Sequence, residues 1–134
     1  MTTIQLDSIN LFVTEMDRTL KFYSLLGFTF DKESYTKDYV KITFGMLSLS
    51  FYTQKIVKDF FKKENFHSGP NHQYELSFRV DKPEEVDSLY EKMVTHGYAS
   101  IKKPVDSDWD QRTAFITDPD NNLIEICAFL HKTQ

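Results

Sequence analysis

Two stretches of the chain share one pattern of apolar and polar positions. Each has an alternating apolar segment that ends in Val, a charged turn, apolar residues at helical spacing and then a Gly; the stretches are residues 9–28 and 76–98. Val13 and Val80 lie 67 residues apart, half of the 134-residue chain. Alternation with a period of two is typical of a half-buried strand, and apolar residues three and four apart are typical of an amphipathic helix. The pattern predicts one strand–helix unit that is used twice.

The remaining apolar runs extend this unit to β-α-β-β-β in each half. In the first half we expect a helix that ends near Leu26 and strands at 4–13, 28–35, 38–44 and 46–53. In the second half we expect a helix at 83–96 and strands at 73–80, 98–102, 109–117 and 123–129. The predicted fold is a single α+β domain of two βαβββ modules that form a curved mixed sheet with a central cup and helices on the outer face. Its predicted parts are module one at 1–53, a connecting helix and linker at 54–72, and module two at 73–134.

Composition narrows the class of protein. The net charge is −4 with interspersed signs, which disfavours a nucleic-acid-binding surface. The single Cys allows no disulfide within the chain, so a reducing compartment is the default. The first ten residues lack the basic and apolar regions of a secretory signal, and no apolar run has the length of a membrane span. We therefore expect a cytoplasmic protein without a nucleic-acid or membrane partner.

Three segments carry a family resemblance over nearly the whole chain: VTEMDRTLKFYSLLGF, LSFRVDKPEEVDSLYEKMVTHGY and FITDPDNNLIEIC. In this order they resemble the vicinal oxygen chelate superfamily, which holds glyoxalase I, bleomycin- and fosfomycin-resistance proteins and extradiol dioxygenases. Asn121 stands where that family usually has Gly, and Asn tolerates the same positive φ. The resemblance implies a small-molecule ligand in the cup and a homodimer in which two subunits complete each cleft.

The resemblance also identifies the positions that hold a metal ion in the metal-dependent members. Here they are Ser8 on the first strand of module one, Ser48 or Ser50 on its last strand, Glu75 on the first strand of module two and Glu125 on its last strand. The imidazole ligands are replaced, and zinc prefers imidazole or thiolate ligands. A hard ion such as Mg²⁺ could use the two carboxylates only with help from waters or substrate oxygens.

Two functions from different classes follow. The preferred hypothesis is a small-molecule binding protein of the glyoxalase/bleomycin-resistance group, with no cofactor and no strongly bound transition metal. The alternative is a lyase, isomerase or dioxygenase in which one divalent metal ion, held by Glu75 and Glu125, polarises substrate oxygens. Without a metal, the same carboxyls could form an acid–base pair, because two carboxyls in a dry cup raise the pKa of one. A third possibility is a non-catalytic homologue whose own side chains fill the cup.

Strand alternation, in which every second residue lies on the same sheet face, suggests further candidate residues. Arg79 shares the parity of Glu75 and could bind an anionic group or form an ion pair with a glutamate. Cys127 could be a reactive thiol, although a small buried apolar residue is the commoner role. Phe12 and Trp109 could stack against a ligand, and the resemblance places Trp109 and Arg112 near the ligand groove. The expected ligand-binding residues are Ser8, Phe12, Ser48, Glu75, Arg79, Trp109, Arg112 and Glu125.

Overall fold

The computed structural model describes residues 3–62 and 71–131, without the side chains of residues 71–73. The described residues fall into two compact units, one formed by 3–24 with 28–62 and the other by 25–27 with 71–131. In these ranges no helix is both long enough and apolar enough to cross a membrane. The architecture is the predicted α+β type, and the strands of the described residues pair as two mixed sheets of three and four strands.

The first unit contains a three-stranded mixed sheet. Its elements are β1 (Ser8–Val13), α1 (Met16–Leu26), β2 (Tyr39–Phe44), β3 (Leu47–Thr53) and α2 (Gln54–Phe61). The strand order is β1-β3-β2, with β1 parallel and β2 antiparallel to β3. Helix α2 ends four residues before the expected position 65, because Lys62 adopts a left-handed conformation with φ 61°. The expected linker at 66–72 lies largely outside the described residues.

The second unit has the βαβββ order that the sequence predicts. Its elements are β4 (Asn71–Arg79), α3 (Pro83–Thr95), β5 (Ser100–Asp106), β6 (Gln111–Thr117) and β7 (Asn122–Phe129). The strand order is β4-β7-β6-β5, with β4 and β7 parallel and the other neighbours antiparallel. The glycines that close both copies of the repeat, Gly27 and Gly97, have φ values of 130° and 97°, which L side chains rarely adopt.

In each unit one sheet face packs against a long helix. Leu11 and Phe51 are 2% and 0% exposed, and the Phe51 ring lies 4.9 Å from that of Tyr23 on α1. In the second unit α3 packs on β5, β6 and β7 over fully buried residues such as Ile116 and Ile126. Burying a large apolar side chain stabilises the fold by roughly 1.5–3 kcal/mol. Because side chains alternate along a strand, the other positions form a second face, called here the polar face of each sheet.

The strand expected at 28–35 is absent, and this prediction was wrong. Residues Lys32–Thr36 form a 3₁₀ helix in which the Ser34 N–H donates to the Asp31 carbonyl at 2.9 Å. Only the short segment 28–30 alternates apolar and polar residues, and polar residues that favour turns follow it. The Phe28 ring instead packs edge-on against Phe44 at 5.4 Å. The first unit therefore has one strand fewer than the second.

The turn before β7 is held by one buried carboxylate. Asp118 is 3% exposed and accepts hydrogen bonds from the backbone N–H groups of Asp120 and Asn122, both at 2.9 Å. Its other oxygen accepts the Asn122 side-chain amide at 2.9 Å. Asn121 has φ 65°, which confirms the expectation that Asn takes the left-handed position here. This turn sets where β7 begins.

We predict that Asp118→Ala lowers the free energy of unfolding by about 3 kcal/mol, because several buried donors lose their charged acceptor. The measurement is urea denaturation followed by circular dichroism. Asn121→Gly is the matched control in the same turn, and it should leave stability equal or slightly raised because Gly adopts positive φ without steric cost. Equal urea midpoints for Asp118→Ala and the unmodified protein would contradict this account of the turn.

Candidate functional site

The polar face of the second sheet holds a buried carboxylate. Glu125 on β7 is 7% exposed, and its register partner on β4 is Ser77. The Ser77 hydroxyl donates to Oε1 at 2.5 Å, and the Thr113 hydroxyl of β6 donates to Oε2 at 2.6 Å. Burying a carboxylate is costly unless its oxygens are hydrogen-bonded, and here both oxygens accept a hydroxyl. Neighbouring strands on both sides therefore hold Glu125 in one orientation.

Glu75 lies beside this carboxylate on β4, two residues before Ser77. The pKa of Glu75 is raised above its usual value of 4.5 by burial first, then by the negative charge of Glu125 and by a hydrogen bond between the two carboxyls. Two neighbouring carboxyls cannot both ionise without repulsion. Glu75 thus retains its proton to a higher pH than an isolated glutamate does.

Cys127 and Arg79 extend the same face. Cys127 is 4% exposed, its Sγ lies 3.5 Å from the Ser77 hydroxyl oxygen, and burial is the main cause that raises the pKa of its thiol. This environment favours a neutral thiol and supports the interpretation of Cys127 as a small buried residue. Arg79 is exposed, and its guanidinium carbon lies 4.9 Å from the centre of the Phe129 ring, a cation–π contact.

In the first sheet the polar face carries hydroxyls and aromatic rings. Ser8 pairs with Ser48, and two residues further Asn10 pairs with Ser50. The repeat offset of 67 residues aligns Asn10 with Ser77, the register partner of Glu125. Ser50 is therefore the counterpart of Glu125 in the first sheet, which resolves the choice between Ser48 and Ser50.

Phe12 and Trp109, the two expected stacking residues, lie in different surroundings. Phe12 is half-buried on β1, and its ring stacks on Tyr52 of β3 with centroids 5.9 Å apart. Trp109 lies in the turn between β5 and β6 and is 66% exposed. Phe51, by contrast, belongs to the core.

The structure does not bring Arg112 to the polar face. Its Nε lies 2.7 Å from Oδ1 of Asp87 on α3, and its Nη1 lies 2.8 Å from Oδ1 of Asp106 on β5. These contacts raise the pKa of the guanidinium. Alternation along β6 explains the placement, because Thr113 occupies the polar face and its neighbour must point to the helix side.

Two residues that hold the carboxylate, Ser77 and Thr113, were not assigned a role from the sequence. Ser77 is two residues from Glu75 on the same strand, so strand alternation alone places both side chains on one face and could have identified Ser77. Thr113 could not be found this way, because its contact depends on the pairing of β6 with β7, which is not local in sequence.

The donor set does not fit the transition metal of the metal-dependent relatives. Across residues 3–62 and 71–131, no three His, Cys, Asp or Glu side chains gather as a metal-binding group. The carboxyl pair supplies no imidazole or thiolate, and burial and the charge of Glu125 raise the pKa of the second carboxyl, Glu75, so that a metal ion would compete with its proton. A metal ligand must be deprotonated and have a free lone pair directed at the ion.

Comparison with known proteins identifies the family. The model of the Glyoxalase/Bleomycin resistance protein/Dioxygenase superfamily matches residues 5–126. The chain belongs to this superfamily. The match includes the carboxyl pair and the Asp118 turn, and it covers most of both units.

Individual relatives agree in fold. An uncharacterized protein of Bacillus subtilis (strain 168), YraH, is 26% identical over 131 residues, which cover 95% of this chain and 100% of that protein. A glyoxalase/bleomycin resistance protein/dioxygenase family enzyme from Burkholderia phytofirmans PsJN is 22% identical, with a TM-score of 0.78 over 95% of this chain and 100% of that one. A hypothetical protein from S. aureus is 24% identical, with a TM-score of 0.76 over 95% of each chain. At these identities the solved structures establish the fold alone.

We predict that Glu75→Gln becomes more stable relative to the unmodified protein as the pH rises. Because the folded-state pKa of Glu75 is raised, its contribution is full below the unfolded pKa and is lost as the pH rises through the folded pKa. Gln keeps a donor toward Glu125 and does not titrate, so it escapes this loss. The measurement is urea unfolding at several pH values from about 4 to about 8.

The matched control repeats this series in a Glu125→Gln background. There the pH trend of Glu75→Gln should shrink, because the negative neighbour that contributes to the shift is gone. If the difference in stability between Glu75→Gln and the unmodified protein stays constant over the whole pH range, the raised pKa of Glu75 is disproved.

Proposed function

We propose that the chain is a small-molecule binding protein of its superfamily, with ligand contacts on the polar faces of its sheets and without a strongly bound transition metal. The observation that carries this proposal is the carboxyl pair on the second sheet. A buried carboxylate contributes little to stability compared with a well-packed apolar residue, so its presence on a sheet face supports a role in recognition. Buried or partly buried polar groups that fix orientation are typical of small-molecule sites.

In this proposal the polar residues on the polar face of the second sheet have distinct roles. Glu125 accepts hydrogen bonds from the ligand, and Ser77 and Thr113 keep its carboxylate aligned. When it holds its proton, Glu75 can donate one hydrogen bond, which an ionised carboxylate cannot do. Arg79 offers a planar set of donors at the exposed end of β4.

We predict that the compounds which raise the melting temperature of the protein include some that lose this effect in Glu125→Gln. A ligand at one hundred times its Kd adds about 2.7 kcal/mol of stability, which corresponds to a rise on the order of 10 °C for a chain of this size. The measurement is a thermal-shift screen of a metabolite library with both proteins. Glu91→Gln, which removes an exposed carboxylate from α3, is the control and should keep every shift.

The screen has two outcomes that oppose the proposal. One is the absence of any stabilising compound. The other is a result in which every stabilising compound acts equally on Glu125→Gln and on the unmodified protein, since recognition would then not involve the carboxyl pair.

We predict that untagged protein, after equilibration with Zn²⁺, Mn²⁺ or Mg²⁺ and desalting, retains well below one equivalent of metal. The reason is the donor chemistry of the pair, which offers zinc no imidazole or thiolate and offers Mg²⁺ or Mn²⁺ only two carboxylates. Elemental analysis beside Glu125→Gln is the measurement. Near-stoichiometric metal that disappears in the variant would replace the binding proposal by the metal-dependent lyase, isomerase or dioxygenase.

A further inference from the structure

The polar face of the first sheet is ordered into three rows that cross all three strands. Strand register defines each row, because residues directly opposite one another share a face. The hydroxyl row is Ser8, Ser48 and Thr43; the amide–ammonium row is Asn10, Ser50 and Lys41; the aromatic row is Phe12, Tyr52 and Tyr39. Rows on this face are two residues apart, a spacing of about 6.7 Å. None of the nine side chains is acidic.

The aromatic row forms a surface that is three strands wide. The Phe12 and Tyr52 rings are 5.9 Å apart with planes inclined by 25°, and the Tyr39 and Tyr52 rings are 5.2 Å apart at 33°. Phe61 of α2 stands nearly perpendicular to Phe12, at 5.8 Å and 80°. Tyr39 is 42% exposed, so this surface is open to a ligand ring. Offset and edge-on contacts with these rings would hold a flat aromatic group.

The amide–ammonium row offers hydrogen-bond donors at a fixed distance from those rings. Lys41 is exposed and has no ion-pair partner within the part of the chain that the structure describes. The Ser50 hydroxyl is 1% exposed and lies 3.4 Å from the Tyr39 hydroxyl, which extends from the aromatic row toward this one. The exposed Lys41 ammonium and Asn10 amide together suit an oxyanion, and the lysine supplies the complementary charge.

We propose that the polar face of the first sheet binds a small aromatic oxyanion, with the ring on the aromatic row and a carboxylate at Lys41. The row spacing selects a ring joined to its carboxylate through a short chain, as in 3-phenylpropionate. This inference rests on the proposed small-molecule binding function and names its ligand class. It uses only residues of the first unit, so it does not depend on the state of the carboxyl pair.

The test is a titration of the full chain with 3-phenylpropionate, followed by isothermal calorimetry and by amide shifts in NMR spectra. We expect saturable binding, with the largest shifts in β1, β2 and β3. Lys41→Gln should weaken binding about tenfold, as expected for the loss of one charge-assisted contact. Tyr39→Leu should weaken it by a similar factor, because it removes an exposed ring without opening the core.

Two controls separate specific from general effects. Lys21→Gln removes a lysine of α1 that pairs with Asp17, and it should leave binding unchanged. The neutral analogue 3-phenylpropanamide keeps the ring and lacks the negative charge, so it should bind about tenfold more weakly than the acid. Added salt should weaken the acid more than the amide.

The inference is overturned if 3-phenylpropionate does not bind, if its shifts map to the second unit, or if Lys41→Gln and Lys21→Gln behave alike. Equal affinity for the acid and the amide would also reject it. These failures are distinct from a failure of the proposed function, since other compounds could still produce thermal shifts that depend on Glu125.

Discussion

One constraint organises both units: a long helix covers one face of a sheet, and strand alternation then assigns every residue to a face. Leu11, Phe51 and Ile126 are buried because they point toward the helix side. Ser8, Glu75 and Glu125 are the intervening residues, so the same alternation directs them away from it. A shift of one residue in strand pairing would exchange the two sets and place carboxylates in the apolar core, which makes the register strongly specified.

Glu125 shows how a position used for metal in relatives can persist with different chemistry. In this chain Ser77 and Thr113 each donate to one carboxylate oxygen, and Glu75 hydrogen-bonds to the same carboxylate. Removing either hydroxyl would leave a buried charge with one acceptor unsatisfied, whereas the intact cluster is stable as it stands. The local hydrogen bonds therefore make the position independent of an imidazole or a cation.

Much of this could be predicted from local patterns. The repeat, the three helices, the left-handed Asn121 and the shared parity of Glu75 and Arg79 follow from periodicity and turn chemistry, which act over a few residues. The sheet face of Arg112 could not be predicted. The expected strand at 109–117 began in the preceding turn, and assigning alternate residues to the two faces requires a known first residue of the strand. The choice of Ser50 over Ser48 needed the pairing of β1 with β3, a contact between residues far apart in sequence. The strand expected at 28–35 failed since short alternation cannot overcome a turn-forming sequence.

The repeat also explains why recognition can differ between the units while the fold does not. The helix-side residues of both copies must stay apolar, because they supply the burial that holds each unit together. Polar-face residues carry no such requirement. The register pair Ser77 and Glu125 in the second sheet corresponds to the pair Asn10 and Ser50 in the first. One copy of the repeat therefore presents a carboxylate where the other presents a hydroxyl beside Lys41. Substitution on that face changes charge and aromatic content without changing the sheet. Under the proposed binding function, the choice of ligand is therefore encoded in the alternate residues that the core does not use.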